Sequence, residues 1–325
     1  MFNLLREMRS EEENKTIFIN GDNVNPGQNR LLRIEIARLP TGTLIDIPVH
    51  VFNSNKAGPT VLIQAGLHGD EINGVETLRR MLENNDFKIS KGAVIVVPIL
   101  NVFGFIHFSR DVPDGKDVNR SFPGRKTGSL ASRIAYHYTR EILPQIDFGL
   151  DLHTGGAQRH NFPQIRYTEG DQGGMELATF FNAPFSFSSN LISGSFRKAA
   201  FRMGKPIAVY EAGESMRFDE NAIDVGIRGV KNVLSGFEMI TDEATKNAES
   251  VFLEYRKWLR APRAGMFVPE IKNGAPIKKG QTLGSITDTY AKKSKEIKAP
   301  FDGYVVCINH QAVVNQGDAL FHVGR

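Results

Sequence analysis

Residues 66–74, GLHGDEING, set a histidine and two acids, His68, Asp70 and Glu71, in a glycine-flanked turn directly after the apolar run TVLIQA. A second apolar run, IDFGL, leads into Asp151 and His153 of DLHTGG, and a third, PIAVY, ends at Glu211 of EAGE. A packed core has no need of polar side chains at three successive strand ends, each with glycine close behind. In open α/β sheets those ends are where ligands and catalysts collect. If a sheet aligns them, two imidazoles and one carboxylate converge although 82 residues separate Glu71 from His153. Two histidines, one carboxylate and an open coordination position describe a catalytic zinc site. Asp151 is then a candidate to accept the second ring N–H of His153. Taken singly the groups have plainer readings: an H-x-x-E pair is common at helix starts, and Asp70 and Glu71 would compensate the helix dipole as first-turn acids.

The elements that must position these groups are legible from periodicity. LLRIEIARL and LIDIPVHVF alternate with period two between residues 31 and 52, as paired strands do. A buried strand over 60–65, an amphipathic helix over 72–84 and the strand AVIVVPIL at 93–100 form a βαβ unit, which implies a parallel or mixed sheet with helices on its faces. Residues 107–128 have no sustained period and many turn residues, as functional loops do. A helix over 129–143, a strand over 146–152, a Gly/Phe-rich stretch to about 200 without an assignable period, and a strand over 206–211 follow. Helical patterns from 219 to 259 close a first domain, 1–259. From 260 to 325 the texture is short β segments with glycine turns. APRAGMFV aligns there with APFDGYVV, and APIKKGQTLGSI with AVVNQGDALFHV. Two copies of one hairpin unit make a small all-β, barrel-sandwich-like domain. It resembles the biotinyl/lipoyl type, but YAKKSKEI stands where a carrier would present its modified lysine within a Met-Lys-Met or similar triplet, so a structural or capping role is expected.

Composition narrows the partners. With 325 residues and 41% apolar content the chain can bury a large core and a smaller second one. A single cysteine, Cys307, excludes an intrachain disulfide framework and cysteine-built zinc sites, so a metal must be held by histidine and carboxylate. The formal charge of +4 is spread among acids rather than clustered, and the densest basic run, AKKSKEIK, reads as a solvated hairpin; no nucleic-acid partner is expected. The longest apolar stretch is too short to span a bilayer, and MFNLLREMRSEEENK lacks a secretory apolar core. We therefore expect no membrane association and a cytoplasmic location. His50, His107, His137, His160, His310 and His322 have no motif support and read as surface or satisfied core histidines.

In order along the chain, GLHGDEINGVETLRRM, DVNRSFPG, DLHTG and VYEAG resemble the succinylglutamate desuccinylase/aspartoacylase family, a branch of the zinc carboxypeptidase-like (M14) fold, over residues 60–215. The resemblance implies a mixed α/β sheet with helices on both faces, followed by a β-rich second domain. It assigns one zinc ion per chain to His68, Glu71 and His153, and the general base to Glu211. Asn119 and Arg120 match the pair that holds a substrate carboxylate, and Arg110 matches more loosely the arginine that polarises the scissile carbonyl. Glu214 is a competitor for the base, and Arg110, Arg120 and Arg125 also read as ordinary loop cations. The activity implied is hydrolysis of the amide bond of an N-acylated amino acid. A zinc carboxypeptidase acting on a short acidic peptide is the alternative on the same fold, and a metal-free binding module is the non-enzymatic one.

Overall fold

The computed structural model describes residues 13–241, 249–290 and 292–325. Part of the N-terminal stretch read above, the middle of the 219–259 pattern and Ala291 of the basic run lie outside these residues. A small hairpin, β1 (Ile17–Ile19) and β2 (Asp22–Val24), precedes the long antiparallel pair β3 (Asn29–Arg38) and β4 (Leu44–Asn53). The βαβ unit follows as β5 (Thr60–Ala65), α1 (Asn73–Glu83) and β6 (Ala93–Val97). Next come a short α2 (Val102–Ile106), a 3-10 turn at Val118–Arg120 inside the aperiodic loop, α3 (Leu130–Ile142) and β7 (Phe148–Gly155). The unassigned stretch folds as β8 (Arg159–Thr168), α4 (Gln172–Phe181), β9 (Phe185–Ser189) and α5 (Phe196–Arg202). β10 (Ile207–Glu214) and α6 (Glu220–Gly236) complete the α/β part.

At the centre of the main sheet, β10, β7, β5 and β6 run parallel, flanked by antiparallel β8 on one side and β4–β3 on the other. β5 and β7 are buried along their whole length, as strands covered on both faces must be. The helices are divided between those faces. α3 and α5 pack into one apolar cluster with Ile34, Ile47 and Leu62, whereas α1, α4 and α6 pack into another with Ile63, Leu150 and Tyr210. This is the mixed α/β architecture expected from the sequence.

Among the described residues the helical reading of 219–259 holds only for α6. Beyond it, β11 (Val251–Phe252) pairs with β9, and β12 (Arg256–Arg260) pairs with β19 (Ala319–Gly324). Pairing with β19 makes RKWLR a strand and outweighs its weak helical signal. The rest is β13 (Gly265–Pro269), β14 (Pro276–Ile277), β15 (Thr282–Thr287), β16 (Ser294–Lys298), β17 (Gly303–Asn309) and β18 (Val313–Val314), all before β19. The repeat appears as pseudo-twofold pairing: β13 with β18 answers β17 with β14, and β15 with β16 answers β19 with β12. The sheet β16–β15–β13–β18 and strands of the main sheet share one apolar core that includes Phe267, Leu283 and Phe321. β17 pairs with β8, so the main sheet runs unbroken into this β-rich part. Among the described residues no helix is long and apolar enough to cross a membrane.

The two glycines that break the strand pattern after β5 have separate reasons. Gly66 has φ +60°, where a side chain is strained, and turns the chain back beneath Ile99. At Gly69 a Cβ would overlap the backbone of Gly104 and Phe105, and its N–H bonds the Ser109 carbonyl at 3.0 Å. Backbone cannot rotate aside as a side chain can, so Gly69→Ala should destabilise the protein by about 1–3 kcal/mol. A denaturation midpoint equal to wild type would show that α2 moves freely against this turn.

Candidate metal centre and substrate cavity

Strand register brings the expected groups together. In β10 and β7 Glu211 stands beside His153, and in β5 and β7 Gln64 stands beside Asp151 and Ala65 beside Leu152. The turn after Ala65 therefore delivers His68 and Glu71 onto the end of β7. All three candidate ligands are buried, with 3%, 3% and 5% exposure for His68, Glu71 and His153. Glu71 lies between the imidazoles, Oε1 at 2.7 Å from His68 Nδ1 and Oε2 at 2.8 Å from His153 Nδ1. The Thr154 backbone N–H donates to Oε2 at 3.1 Å.

The far side of each ring faces an aspartate. His153 Nε2 is 2.9 Å from Asp151 Oδ2. Asp151 Oδ1 in turn accepts from Gln64 Nε2 at 3.0 Å, and Gln64 Oε1 accepts from the Tyr138 hydroxyl at 2.6 Å. His68 Nε2 lies 3.4 Å from Asp117 Oδ1, an ion-pair distance without hydrogen-bond alignment. Burial alone would make both imidazoles less basic. The surrounding carboxylates outweigh it, chiefly Glu71 for His68 and Asp151 with Glu71 for His153, and raise both. Burial would likewise raise Glu71, yet the two imidazoles hold it well below the ordinary carboxylate range.

This donor set fits a metal ion. One atom each from His68, Glu71 and His153 lies within 4.8 Å of the others. The aspartates behind the rings direct both Nδ1 atoms inward, the arrangement that orients metal-ligating histidines. Asp151 thus stands where the sequence suggested. Glu71 faces the histidines rather than the helix dipole, and α1 keeps Glu76 as its first-turn acid.

The group opens into a cavity of about 700 Å³. Asn119, Arg120, Arg110 and Glu211 all line it, whereas Arg125 and Glu214 do not. Arg110 is clamped on Asp117 Oδ2 through Nε and Nη2 at 3.1 and 2.9 Å, which brings Nη1 to 3.3 Å from Glu71 Oε1. Asn119 Oδ1 accepts from the Phe196 N–H at 2.9 Å and so ties the 3-10 turn to α5. The Arg120 side chain is 44% exposed. Glu211 accepts from Asn161 Nδ2 at 2.9 Å and meets Arg166 Nη1 at 3.2 Å. Glu214 turns away to His310 Nδ1 at 2.7 Å.

Several residues at the site escaped the sequence reading: Asp117, which backs His68, and Asn161, Arg159, Arg166, Arg197 and Trp258, which line the cavity. Asp117 opens the DVNR motif and caps its turn, accepting from the Asn119 N–H at 2.6 Å, a signal that was present. The others belong to β8, α5 and β12, where periodicity was unassigned or misread. Trp258 comes from the strand that pairs with β19, so the β-rich part stands beside the cavity wall. The indole stacks on His322 at 4.5 Å, and burial helps to push that imidazole down to about 3, leaving it neutral.

Comparison with known proteins gives a consistent picture. Residues 57–237 match the model of the succinylglutamate desuccinylase/aspartoacylase catalytic domain. The chain is 28% identical over 288 residues to an N-alpha-acetyl-L-2,4-diaminobutyric acid deacetylase from Halomonas elongata, covering 84% of each protein. The fold superposes on a succinylglutamate desuccinylase/aspartoacylase from Rhodobacter sphaeroides with a TM-score of 0.81 and 27% identity, covering 92% of this chain and 95% of that one. It also superposes on the product-bound ectoine utilization protein EutE (DoeB) from Ruegeria pomeroyi, with a TM-score of 0.80, 26% identity and coverage of 91% and 94%.

A metal held by these three side chains should be stoichiometric and lost in His153→Ala. Asp151→Asn, which leaves all three ligands in place, should weaken metal affinity by about 10–100-fold in chelator competition. Unchanged affinity would mean that Asp151 serves packing alone.

Proposed function

The chain belongs to the succinylglutamate desuccinylase/aspartoacylase family, and from that premise we propose that it is a zinc-dependent deacylase of N-acylated amino acids. The observation that carries the reading is the placement of Glu211 beside His153, on one cavity with the buried His68, Glu71 and His153. Zinc, when bound by those three, supplies the Lewis acid that brings the pKa of water from 15.7 to about 7. Everything else falls to this chain's own side chains.

Glu211 is the general base. It takes a proton from the attacking water and returns it to the leaving amine, so one carboxylate serves both halves of amide cleavage. Arg110, fixed by Asp117, sets a cation beside the carbonyl oxygen as negative charge develops there. Arg120 and the Asn119 amide grip the carboxylate of the amino acid at the cavity edge, where a guanidinium forms two parallel hydrogen bonds. Within this reading the chemistry lies in residues 1–259, and the β-rich remainder braces β12, which brings Trp258 to the cavity wall.

The cavity volume is that of a small-molecule site. That supports an acylated amino acid over the peptide of a carboxypeptidase. The buried His-Glu-His group likewise weighs against a metal-free binding module. A deacetylase of N-alpha-acetyl-L-2,4-diaminobutyric acid among the relatives supports the reaction type.

An amine-release assay of the zinc-loaded protein against N-acetyl and N-succinyl amino acids, with short peptides beside them, tests the proposal. Release from acylated amino acids is expected, and release from peptide C-termini alone would move the activity to a carboxypeptidase. Glu211→Gln should keep its zinc and lose about 10²–10⁴-fold in kcat; near-normal turnover would remove the base assignment. Arg120→Lys should raise KM for carboxylate-bearing substrates with little change in kcat, since the ammonium cannot reproduce the fork. Unaltered kinetics would place the substrate carboxylate elsewhere.

A further inference from the structure

A second cavity, of about 300 Å³, shares a wall with the substrate cavity. The shared segment is 190–195: Asn190 and Ile192 line the first cavity, Ser193 and Gly194 the second, and Ser195 both. The second cavity is closed by Phe122 and Pro123 after the 3-10 turn, Thr139 on α3, and Lys198, Arg202 and Met203 of α5 and its end.

Its polar groups have no partners of their own. Lys198 and Arg202 stand four residues apart, a spacing that puts both on one face of α5 and makes like charges repel. Among the described residues neither is paired with a carboxylate. The Thr139 hydroxyl is buried without a hydrogen-bond partner, whereas those of Thr77 and Thr179 donate to the carbonyl four residues back. Two uncompensated cations and an unused hydroxyl beside Phe122, Pro123 and Met203 suit a guest with a doubly charged anionic head and a small apolar body. A phosphate monoester has that composition, with a charge near −2 at neutral pH and three acceptor oxygens. A carboxylate would bring half the charge.

The wall between the cavities is tied to the turn that carries Asn119 and Arg120. The Phe122 N–H donates to the Gly194 carbonyl at 2.9 Å, and the Phe196 N–H to Asn119 Oδ1 at 2.9 Å. Gly194, at φ +73°, lies so close to the Arg120 carbonyl that a Cβ would overlap it. A guest that draws Lys198 and Arg202 together therefore presses on the backbone that sets Asn119 and Arg120. We propose that this cavity is a second binding site, for a small phosphate monoester, and that its occupancy tightens the hold of Asn119 and Arg120 on a carboxylate in the substrate cavity. The second half rests on the reading of those two residues given above; the first half does not.

Phenyl phosphate is the probe, titrated calorimetrically into the zinc-loaded protein with inorganic phosphate and phenol beside it. We expect one phenyl phosphate per chain, bound about tenfold or more tightly than either fragment, and loss of that affinity in the double variant Lys198→Gln/Arg202→Gln. Affinity retained in the double variant would put the probe in the substrate cavity and overturn the site. Inorganic phosphate binding as tightly as phenyl phosphate would overturn the ligand class. Without probe the double variant should unfold at the wild-type midpoint or above it, since it loses a like-charge pair. A second arm follows succinate binding by the fluorescence of Trp258, the chain's one tryptophan, which lines the substrate cavity. Saturating phenyl phosphate should tighten succinate binding by about fivefold or more in wild type and leave the double variant unchanged. Unaltered or weakened succinate binding in wild type would overturn the coupling. Succinate binding that does not respond to Arg120→Lys would sink the carboxylate reading of that turn, while loss of phenyl phosphate from the double variant would still uphold the site.

Discussion

The site is organised by one electrostatic constraint: three ionisable side chains, His68, Glu71 and His153, are almost completely removed from water within a few ångströms of each other. Charge cannot be buried this way unless every group is paired and hydrogen-bonded. The surroundings meet that demand at Glu71 and His153, and pair the far side of His68 with Asp117 at ion-pair distance. Glu71 spans both imidazoles, and the Thr154 N–H satisfies it further. Asp151 backs His153 and is itself held through Gln64 to Tyr138 on α3. Asp117 backs His68 and clamps Arg110. A helix on one face of the sheet, two parallel strands and an aperiodic loop are thereby committed to orienting two rings.

That commitment explains the form of the loop at 107–128. It has little regular structure because its task is to aim side chains: Asp117 at His68 and Arg110, and Asn119 at the start of α5. The 3-10 turn it contains is stabilised by the same Asp117, whose Oδ1 caps the Asn119 N–H. One carboxylate therefore fixes local backbone, a candidate ligand's ring and a cation of the cavity together.

β8 performs the corresponding task on the other side. It pairs with β10 along the cavity, with β9 towards its C-terminal end and with β17 towards its N-terminal end. The strand that carries Asn161 and Arg166 to Glu211 is thus also the seam to the β-rich part. Across that seam His160 and His310 stack at 5.4 Å, each held by a carboxylate, Asp219 and Glu214 respectively. The two acids of EAGE diverge for this reason: Glu211 faces the cavity with His153, and three residues on, beyond a register shift, Glu214 faces the second unit.

Sequence alone determined the α/β class, the strands β5, β7 and β10, the helices α1 and α3, the internal repeat, and the identity of the residues at three strand ends. It could do so because these signals are local: apolar periodicity is a property of consecutive residues, and a parallel strand buried on both faces leaves little freedom in composition. The ordered motifs added family membership for the same reason. Tertiary structure alone decided that the register sets Glu211 beside His153, that Glu214 belongs to another contact, and that Asp117, Arg166, Arg197 and Trp258 converge near one cavity. β12 shows the limit most plainly, because RKWLR becomes a strand only where β19 supplies its hydrogen-bond partners. Pairing between residues dozens of positions apart leaves no periodic trace in either segment, so convergence of this kind is decided when the sheet closes, and not before.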